Sequence, residues 1–214
     1  MSSLSLASID TLFFDWDGTL LDSERLGYAA FQKTFRELEI AFSVEDYESL
    51  YSPNWYTMYE ALGLPRTKWQ AADDLWIRHY GEEFPKLVTG GMETLRELER
   101  KGYRLGIVSS GTRSRVVREI GALGLTAAFR VVVCNEDMVN KKPHPEGLEK
   151  AMLQLSCPKQ SCSYIGDSPE DILMGKSAEV LTVGIRSAYP THARLRHTNP
   201  DIYLESISEL LLHF

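Results

Sequence analysis

The sequence has few cysteines, no long apolar run and no excess of positive charge. Its three cysteines, Cys134, Cys157 and Cys162, are odd in number and show no CxxC spacing, so we expect reduced thiols rather than a disulfide framework. It contains no run of about 18 apolar residues, so no membrane span is predicted. The N-terminus, MSSLSLASIDTLFF, has no basic residue before its apolar stretch, unlike a secretory signal. These absences predict a cytoplasmic protein with no membrane partner.

The charge balance is acidic, with 23 Lys and Arg against 30 Asp and Glu and a net charge of −7. Nucleic-acid binding usually needs a dense basic face, and no Lys/Arg cluster of that density appears; the basic stretch at 194–197 is short. We therefore expect no nucleic-acid partner. The 214 residues, 43% of them hydrophobic, are enough for a self-sufficient core, and the length predicts one domain or one domain with an insertion.

Short apolar runs predict strands, and several of them end at a small or acidic polar residue. Helical periodicity lies between the runs, and alternating strands and helices predict an α/β fold with a Rossmann-like parallel sheet flanked by helices. Ligands of such sheets bind beyond the carboxyl ends of the strands, so we expect Asp15, Ser109 and Asp167 to share one edge. The predicted strands are 9–14, 103–108, 130–133, 162–165 and 180–185.

One segment breaks the alternation. Between residues 22 and 87 no strand is evident, helical patterns dominate, and prolines at Pro53, Pro65 and Pro85 interrupt them. We predict a helical subdomain, 22–87, inserted after the first strand. The α/β core would then consist of the segments 1–21 and 88–214.

The strongest motif is FFDWDGTLLDS, residues 13–23. At the end of a strand, a spacing of two places the side chains of Asp15 and Asp17 on the same side and that of Trp16 on the other. Two carboxylates held so close repel each other unless a cation neutralises them or one is protonated. A cation such as Mg²⁺ suits the first case, and the second provides a nucleophile beside an acid/base.

Two further segments carry groups that could bind phosphate. Ser109 and Ser110 follow a buried strand, and their hydroxyls with free backbone amides suit a phosphate oxygen, although such a segment is also an ordinary helix cap. Lys142 precedes a Pro-His-Pro turn that restricts its direction. An ammonium aimed in this way can neutralise phosphate and nucleophile charge, whereas a solvated loop lysine is the alternative.

The last motif is IGDSPED, residues 165–171. Asp167 ends a strand, and Asp171 lies one helical turn later. This acidic pair can supply a remaining metal ligand and orient a water or the lysine. Acids at a helix N-terminus are also common without any such role.

The order acid pair, hydroxyl, lysine, acid pair resembles the haloacid dehalogenase superfamily of phosphohydrolases. The resemblance covers nearly the whole chain, because all four motifs and the inserted helical segment occur in order. It is closest to the branch of phosphoglycolate phosphatases and β-phosphoglucomutases, which carry an α-helical cap after the first motif. The resemblance implies a haloacid dehalogenase-like core with a helical cap.

The resemblance also implies roles for individual residues. Asp15 would be the nucleophile that forms an aspartyl-phosphate, and Asp17 would protonate the leaving oxygen and then activate water. Ser109 and Ser110 would bind the phosphoryl oxygens, and Lys142 would bind them and stabilise charge.

A metal site is implied in the same way. Mg²⁺ would be held by the Asp15 carboxylate, the Asp17 backbone carbonyl and Asp167, with Asp171 in support. The expected activity is a Mg²⁺-dependent phosphatase acting on a small phosphorylated metabolite.

Three alternatives stay open at this point. A phosphosugar mutase could use the same scaffold, differing in how long the aspartyl-phosphate survives. A receiver-like signalling module also combines aspartates, a hydroxyl and a lysine, but in another order and without an inserted cap. A non-catalytic binding protein could have kept the fold. The sequence does not determine the oligomeric state or the physiological substrate.

Overall fold

A computed structural model describes residues 6–214 of the chain. The described residues divide into two compact units. The core unit consists of 6–22 and Lys86–Phe214, and the helical unit consists of Ser23–Pro85. Residues 1–5, at the start of the first predicted core segment, lie outside the described residues.

Strands and helices alternate in the core unit, as the sequence predicts. The strands are β1 (Thr11–Phe14), β2 (Leu21–Asp22), β3 (Lys86–Leu87), β4 (Arg104–Val108), β5 (Phe129–Val133), β6 (Cys162–Gly166), β7 (Leu181–Ile185) and β8 (Ile202–Leu204). Six of these described strands form one sheet in the order β5-β4-β1-β6-β7-β8, and every neighbouring pair is parallel. The edge strand β8 has no counterpart in the sequence prediction.

The helices divide between the two units. They are α1 (Glu24–Glu37), α2 (Val44–Leu50), α3 (Trp55–Ala61), α4 (Trp69–Tyr80), α5 (Gly91–Arg100), α6 (Arg113–Ala122), α7 (Glu146–Leu155), α8 (Pro169–Ser177) and α9 (His192–His197). The first four form the helical unit, and the other five belong to the core unit. None of the helices within the described chain is long and apolar enough to cross a membrane.

The inserted segment is shorter than the predicted 22–87. Strand β2 pairs antiparallel with β3, with Leu21 opposite Leu87 and Asp22 opposite Lys86. These residues therefore belong to the core unit rather than to the insertion. Two-residue strands have no periodicity, which is why the sequence shows no strand there.

Both faces of the parallel sheet are buried. Along β1, Leu12 and Phe14 pack into one hydrophobic cluster with Val116 of α6. Phe13 points to the opposite face and packs into a second cluster with Leu148 of α7. Because successive side chains of a strand alternate between faces, a strand buried on both faces is apolar throughout. This arrangement explains why the predicted strands are continuous apolar runs.

The register of the central strand defines the functional edge. Phe14, the last residue of β1, lies opposite Ile107 of β4 and Ile165 of β6. Because the three strands are parallel and in register, their carboxyl ends meet at one edge of the sheet. The residues that follow them there are Asp15, Ser109 and Asp167.

The helical unit has a core of aromatic side chains. The rings of Phe31 and Trp76, on α1 and α4, have centroids 5.6 Å apart. The Trp76 Nε1–H donates to the carbonyl of Gly27 at 3.2 Å, which ties α4 to α1. Met58 and Tyr59 of α3 are fully buried.

Candidate active site

Asp15 stands at the end of β1, just before a turn that requires glycine at position 18. The Asp15 N–H donates to the carbonyl of Ile165 at 2.8 Å, so the pairing of β1 with β6 continues to this residue. Gly18 has a φ of +82°, in the left-handed region that favours glycine. A Cβ on Gly18 would collide with Oδ2 of Asp167. Only glycine therefore lets this turn approach Asp167.

Lys142 joins two carboxylates. Its Nζ lies 2.7 Å from Oδ1 of Asp15 and 2.7 Å from Oδ1 of Asp171, and the side chain is 3% exposed. Burial alone would lower the pKa of Lys142, but Asp15 and Asp171 outweigh burial and raise it above its ordinary value. Burial raises the pKa of Asp15 to about 7, against the lowering effect of Lys142. Lys142 is therefore a buried ammonium rather than a solvated loop lysine.

Three carboxylates form an acidic cluster beside this lysine. One oxygen each of Asp15, Asp167 and Asp171 lie within 4.8 Å of one another. Burial raises the pKa of Asp167 well above its ordinary value, and the Asp15 and Asp171 carboxylates add to the rise. Such repulsion is relieved by a divalent cation, and all three donors are the hard oxygen ligands that Mg²⁺ prefers. The donor set therefore fits a divalent cation.

Two hydroxyl groups orient Asp167. Thr19 Oγ1 donates to Oδ1 at 3.1 Å, and Ser187 Oγ donates to Oδ2 at 2.6 Å. Thr19 comes from the turn after β1, whereas Ser187 follows β7. The carboxylate is thus held from two elements, which fixes its direction toward the cluster.

Asp171 accepts hydrogen bonds both from Lys142 and from Ser168, the residue that caps α8. Its Oδ1 accepts from Lys142, and its Oδ2 accepts from the N–H of Ser168 at 3.0 Å and from the Ser168 hydroxyl at 2.7 Å. The second set closes a capping box at the start of α8. The Tyr164 hydroxyl lies 3.2 Å from Oδ1. Asp171 is therefore a fixed support that orients Lys142 at the edge of the acidic cluster.

Asp17 points to α6 rather than into the acidic cluster. Its Oδ1 and Oδ2 lie 2.9 Å and 2.5 Å from the two terminal nitrogens of Arg115. The indole N–H of Trp16 donates to Glu119 at 2.8 Å, and Glu119 is paired with Arg115. Trp16 and Asp17 therefore both contact the Arg115–Glu119 pair of α6, and the Asp17 carboxylate is not one of the three that form the acidic cluster.

The hydroxyl segment lies at the end of the neighbouring strand β4. Ser109 is 1% exposed, and its Oγ accepts from the N–H of Gly111 at 3.0 Å. Ser110 beside it is half-buried. The N–H of Arg113, the first residue of α6, donates to both carboxylate oxygens of Glu136, at 3.1 Å and 2.8 Å. An anion at this segment would therefore meet Ser109 and Ser110 rather than the first N–H of the helix.

Comparison with known proteins places this site in a family. The sequence profile described as haloacid dehalogenase-like hydrolase matches residues 12–185. The chain belongs to the haloacid dehalogenase-like hydrolases. The matched segment contains every motif residue described above.

One curated relative and two solved structures illustrate what this hydrolase is similar to. The pyrophosphatase PpaX of Listeria monocytogenes is 33% identical over 207 residues, covering 95% of each chain. The crystal structure of CbbY from Rhodobacter sphaeroides in complex with phosphate has a TM-score of 0.81 at 22% identity, covering 94% of this chain and 96% of that one. The β-phosphoglucomutase of Clostridium difficile has a TM-score of 0.77 at 19% identity, covering 94% and 93%.

The comparisons confirm the coarse predictions. The family, the α/β fold class with an inserted helical segment, and the enzyme class, a phosphatase of this family, are as predicted. The roles assigned to individual site residues stay predictions. The hydrolase brings Asp15, Lys142, Asp167 and Asp171 into one cluster, and it turns the Asp17 carboxylate toward Arg115.

Several residues of the site are absent from the sequence analysis. Ser187 lies two positions beyond β7, and the rule that placed Asp167 at the sheet edge would also have placed this hydroxyl there. Tyr164 stands in an apolar strand and gives no local signal of its contact with Asp171. Arg115 and Glu119 are spaced four apart on a helix, which predicts an ion pair, but such pairs usually face solvent.

Proposed function

We propose that this hydrolase is a Mg²⁺-dependent phosphatase that acts on a phosphate monoester of a small metabolite. The observation that carries the proposal is the environment of Asp15, where Lys142 Nζ lies 2.7 Å from Oδ1 and Asp167 belongs to the same acidic cluster. A buried ammonium on one carboxylate oxygen leaves the other oxygen to act as a nucleophile. The same ammonium can neutralise the incoming phosphoryl oxygens.

In the first half-reaction, the free carboxylate oxygen of Asp15 attacks phosphorus, and the bond between phosphorus and the leaving oxygen breaks. Asp17 gives its proton to the leaving oxygen, so the alcohol departs neutral. Asp15 then carries the phosphoryl group as an acyl phosphate. Lys142 balances the negative charge, and the hydroxyls of Ser109 and Ser110 hold the phosphoryl oxygens.

In the second half-reaction, Asp17 is a carboxylate and takes a proton from water. The water oxygen attacks phosphorus, and the bond between phosphorus and Asp15 breaks. Inorganic phosphate leaves, the Asp15 carboxylate is restored, and Asp17 is protonated again.

The acidic cluster supplies the metal ligands in this proposal. The carboxylates of Asp15 and Asp167 and the backbone carbonyl of Asp17 would hold Mg²⁺, with Asp171 in support. When bound, the ion neutralises charge on the transferred phosphoryl group. The contact of Asp171 with Lys142, at 2.7 Å, suits this supporting position.

The site residues act on the phosphoryl group, so they define the class of substrate, a phosphate monoester. The name of the Listeria relative, a pyrophosphatase, makes inorganic pyrophosphate a compound to test beside phosphate monoesters. The phosphosugar mutase alternative is tested in the same panel. The cytoplasmic location stays a prediction.

The proposal is tested with a panel of phosphorylated metabolites, p-nitrophenyl phosphate and inorganic pyrophosphate, each assayed for phosphate release with Mg²⁺ and with a chelator. We expect Mg²⁺-dependent release that falls on the order of 10⁴-fold or more in Asp15→Asn, with an unchanged circular dichroism spectrum. Asp10→Asn is the matched control, because Asp10 lies just before β1 and pairs with Arg104.

Two outcomes would contradict the proposal. Near-wild-type turnover by Asp15→Asn would exclude Asp15 as the nucleophile. Conversion of a hexose 1-phosphate to its 6-phosphate, without net phosphate release, would favour the mutase. A trapped acyl phosphate on Asp15 during turnover would support either enzyme, phosphatase or mutase, and would exclude a non-catalytic binding protein.

A further inference from the structure

A buried network of charges connects Asp17 to helix α6. The side chain of Arg115 is 5% exposed, and its guanidinium lies between the carboxylates of Asp17 and Glu119. Glu119, which is 1% exposed, also accepts from the indole N–H of Trp16. The guanidinium further lies over Gly111, where a Cβ would collide with it. Trp16 and Asp17 from one segment and Arg115 and Glu119 from α6 therefore hold one another, with Gly111 leaving room for the guanidinium.

The network is poorly explained as a device for stability. Removing charged groups from water carries a large desolvation cost, and apolar residues of similar volume often stabilise a fold as well or better. The planar guanidinium instead provides direction, because two parallel N–H groups fix both oxygens of a carboxylate. Here both oxygens of Asp17 are held, at 2.9 Å and 2.5 Å.

The position of Asp17 suits the departing side of phosphoryl transfer. The attacking and leaving oxygens stand roughly in line on opposite sides of phosphorus. A carboxylate that serves the leaving oxygen must therefore lie apart from the nucleophile and its metal ligands. The cluster of Asp15, Asp167 and Asp171 is compact within 4.8 Å, and the Asp17 carboxylate is held outside it by Arg115.

We propose that Arg115 is a positioning residue that fixes the Asp17 carboxylate where it meets the leaving oxygen, with Glu119 and Trp16 fixing Arg115 in turn. The inference rests on the proposed function, in which Asp17 gives a proton to the leaving oxygen. Because the guanidinium favours the ionised carboxylate, Asp17 has to take up that proton when the anionic ester binds beside it. Arg115 would act through Asp17 rather than on the ester itself. Its loss should therefore impair the step that depends on the leaving group and should change substrate binding little.

The experiment compares two phosphate esters that differ in leaving group. p-Nitrophenyl phosphate releases a weakly basic phenolate that needs little help from an acid, whereas an alkyl phosphate releases a strongly basic alkoxide. The variants are Arg115→Lys, which keeps the charge but loses the planar fork, and the double variant Arg115→Met/Glu119→Gln, which removes the charges of Arg115 and Glu119 together. The double variant is used because Arg115→Met alone would leave Glu119 buried and unbalanced.

For the double variant we expect kcat for the alkyl phosphate to fall about 10- to 100-fold, and kcat for p-nitrophenyl phosphate to fall much less. KM should change less than about twofold for both esters, because a residue that acts only on the chemical step leaves substrate binding nearly unchanged. Arg115→Lys should recover part of the lost kcat. Arg104→Met is the matched control, because Arg104 pairs with Asp10 at the opposite end of β4 and should leave both kcat values unchanged.

The same changes in an Asp17→Asn background separate positioning from a merely structural role. If Arg115 acts through Asp17, adding the double variant to Asp17→Asn should lower kcat no further. An additional loss of equal size for both esters would overturn the inference, as would an unchanged alkyl-phosphate kcat in the double variant.

Failure of the proposed function is recognised separately. It would appear as a wild-type enzyme that releases no phosphate from either ester, or as an active Asp15→Asn variant. An active wild type with an inactive Asp15→Asn and an unaffected double variant would reject only the role of Arg115.

Discussion

Gly18 decides at the level of one residue how closely the first motif approaches Asp167. Gly18→Ala would force a Cβ into the left-handed region at φ +82° and against the Asp167 carboxylate. We expect a loss of about 1–2 kcal/mol in the free energy of unfolding from the strain, together with a large fall in Mg²⁺-dependent turnover. Urea unfolding and kcat measure the two effects.

Gly102 provides the control for this prediction. It has a φ of +92°, but among the described residues, its two chain neighbours aside, no atom lies within 4 Å of a Cβ built on it. Gly102→Ala should therefore show the strain alone and keep its activity. If both variants lose turnover equally, the fall does not come from contact with Asp167.

Glu146 holds the loop that leads to the site lysine. Its carboxylate accepts from Lys150 Nζ at 2.7 Å and from the N–H groups of Val139 and Asn140 at 2.9 Å and 2.8 Å. The Lys150 bond, followed by these backbone bonds, lowers the pKa of Glu146 to about 2. We expect Glu146→Gln to melt at a lower temperature than the wild type near pH 7.

The sign of the pH dependence follows from the lowered pKa. The carboxylate stabilises the fold above its ordinary pKa of 4.5, and this contribution is lost as the pH falls toward about 2. The difference in melting temperature between wild type and Glu146→Gln should therefore shrink over that range. Glu149→Gln, an exposed change on the same helix, should show no comparable difference at any pH. A gap that stays constant from pH 7 to 2 would contradict the assignment.

At the level of elements, β6 and α8 together position Asp167 and Asp171. The connection from Gly166 to Asp171 is short, and Asp171 at its end both caps α8 and hydrogen-bonds to Lys142. A Cβ on Gly166 would collide with Asp171, so the strand ends in glycine where the helix turns back over it. The capping box of α8 therefore also holds the carboxylate that positions Lys142.

Tyr164 on β6 offers a test of this arrangement. Its hydroxyl lies 2.9 Å from the Val108 carbonyl and 3.2 Å from Oδ1 of Asp171, and its single proton can be given to either. Tyr164→Phe keeps the ring beneath Lys142, whose Nζ is 5.3 Å from the ring centroid, and removes only the hydroxyl. We expect about 1 kcal/mol less stability and a fall in kcat of up to about tenfold.

The neighbouring residue on the same strand is the control. Ser163 is fully buried, and its hydroxyl donates to the Leu181 carbonyl at 3.1 Å, away from Lys142 and Asp171. Ser163→Ala should lose similar stability and keep its kcat. An equal fall in kcat for both variants would mean that any damage to β6 reaches the site.

For the whole molecule, the acidic cluster links metal binding to stability. A cation that binds only the folded state stabilises it, by about 2.7 kcal/mol at a concentration 100 times its dissociation constant, which raises the melting temperature by several degrees. We expect Mg²⁺ to raise the melting temperature of the wild type. Asp167→Asn should show no such rise, because it removes a ligand and the repulsion that the ion would relieve.

The same variant makes an opposite prediction without metal. In a chelator, Asp167→Asn should melt at or above the wild-type temperature, since one buried charge has been removed from the cluster. A Mg²⁺-dependent rise of equal size in both proteins would place the ion elsewhere. Calorimetry is the suitable measurement, because two compact units need not unfold in one step.

The main strands were predictable because each is a local pattern. A strand buried on both faces is an apolar run, and it ends where a polar residue meets the sheet edge. The three residues of β8 and the two-residue strands β2 and β3 are too short to carry such a pattern. The predicted insertion was too long for the same reason.

Local pattern was also enough to nominate Asp15, Ser109 and Asp167, since parallel strands bring their carboxyl ends to one edge whatever the details of packing. Lys142 was nominated by the prolines that follow it. Local sequence pattern could not predict the partner of Asp17. Arg115 lies 98 positions away in the chain, and next to it Val116 faces the core. Whether an arginine beside a buried face meets solvent or a carboxylate depends on how α6 is turned against the sheet. That rotation is set by side-chain packing between distant segments, and only the folded chain contains it.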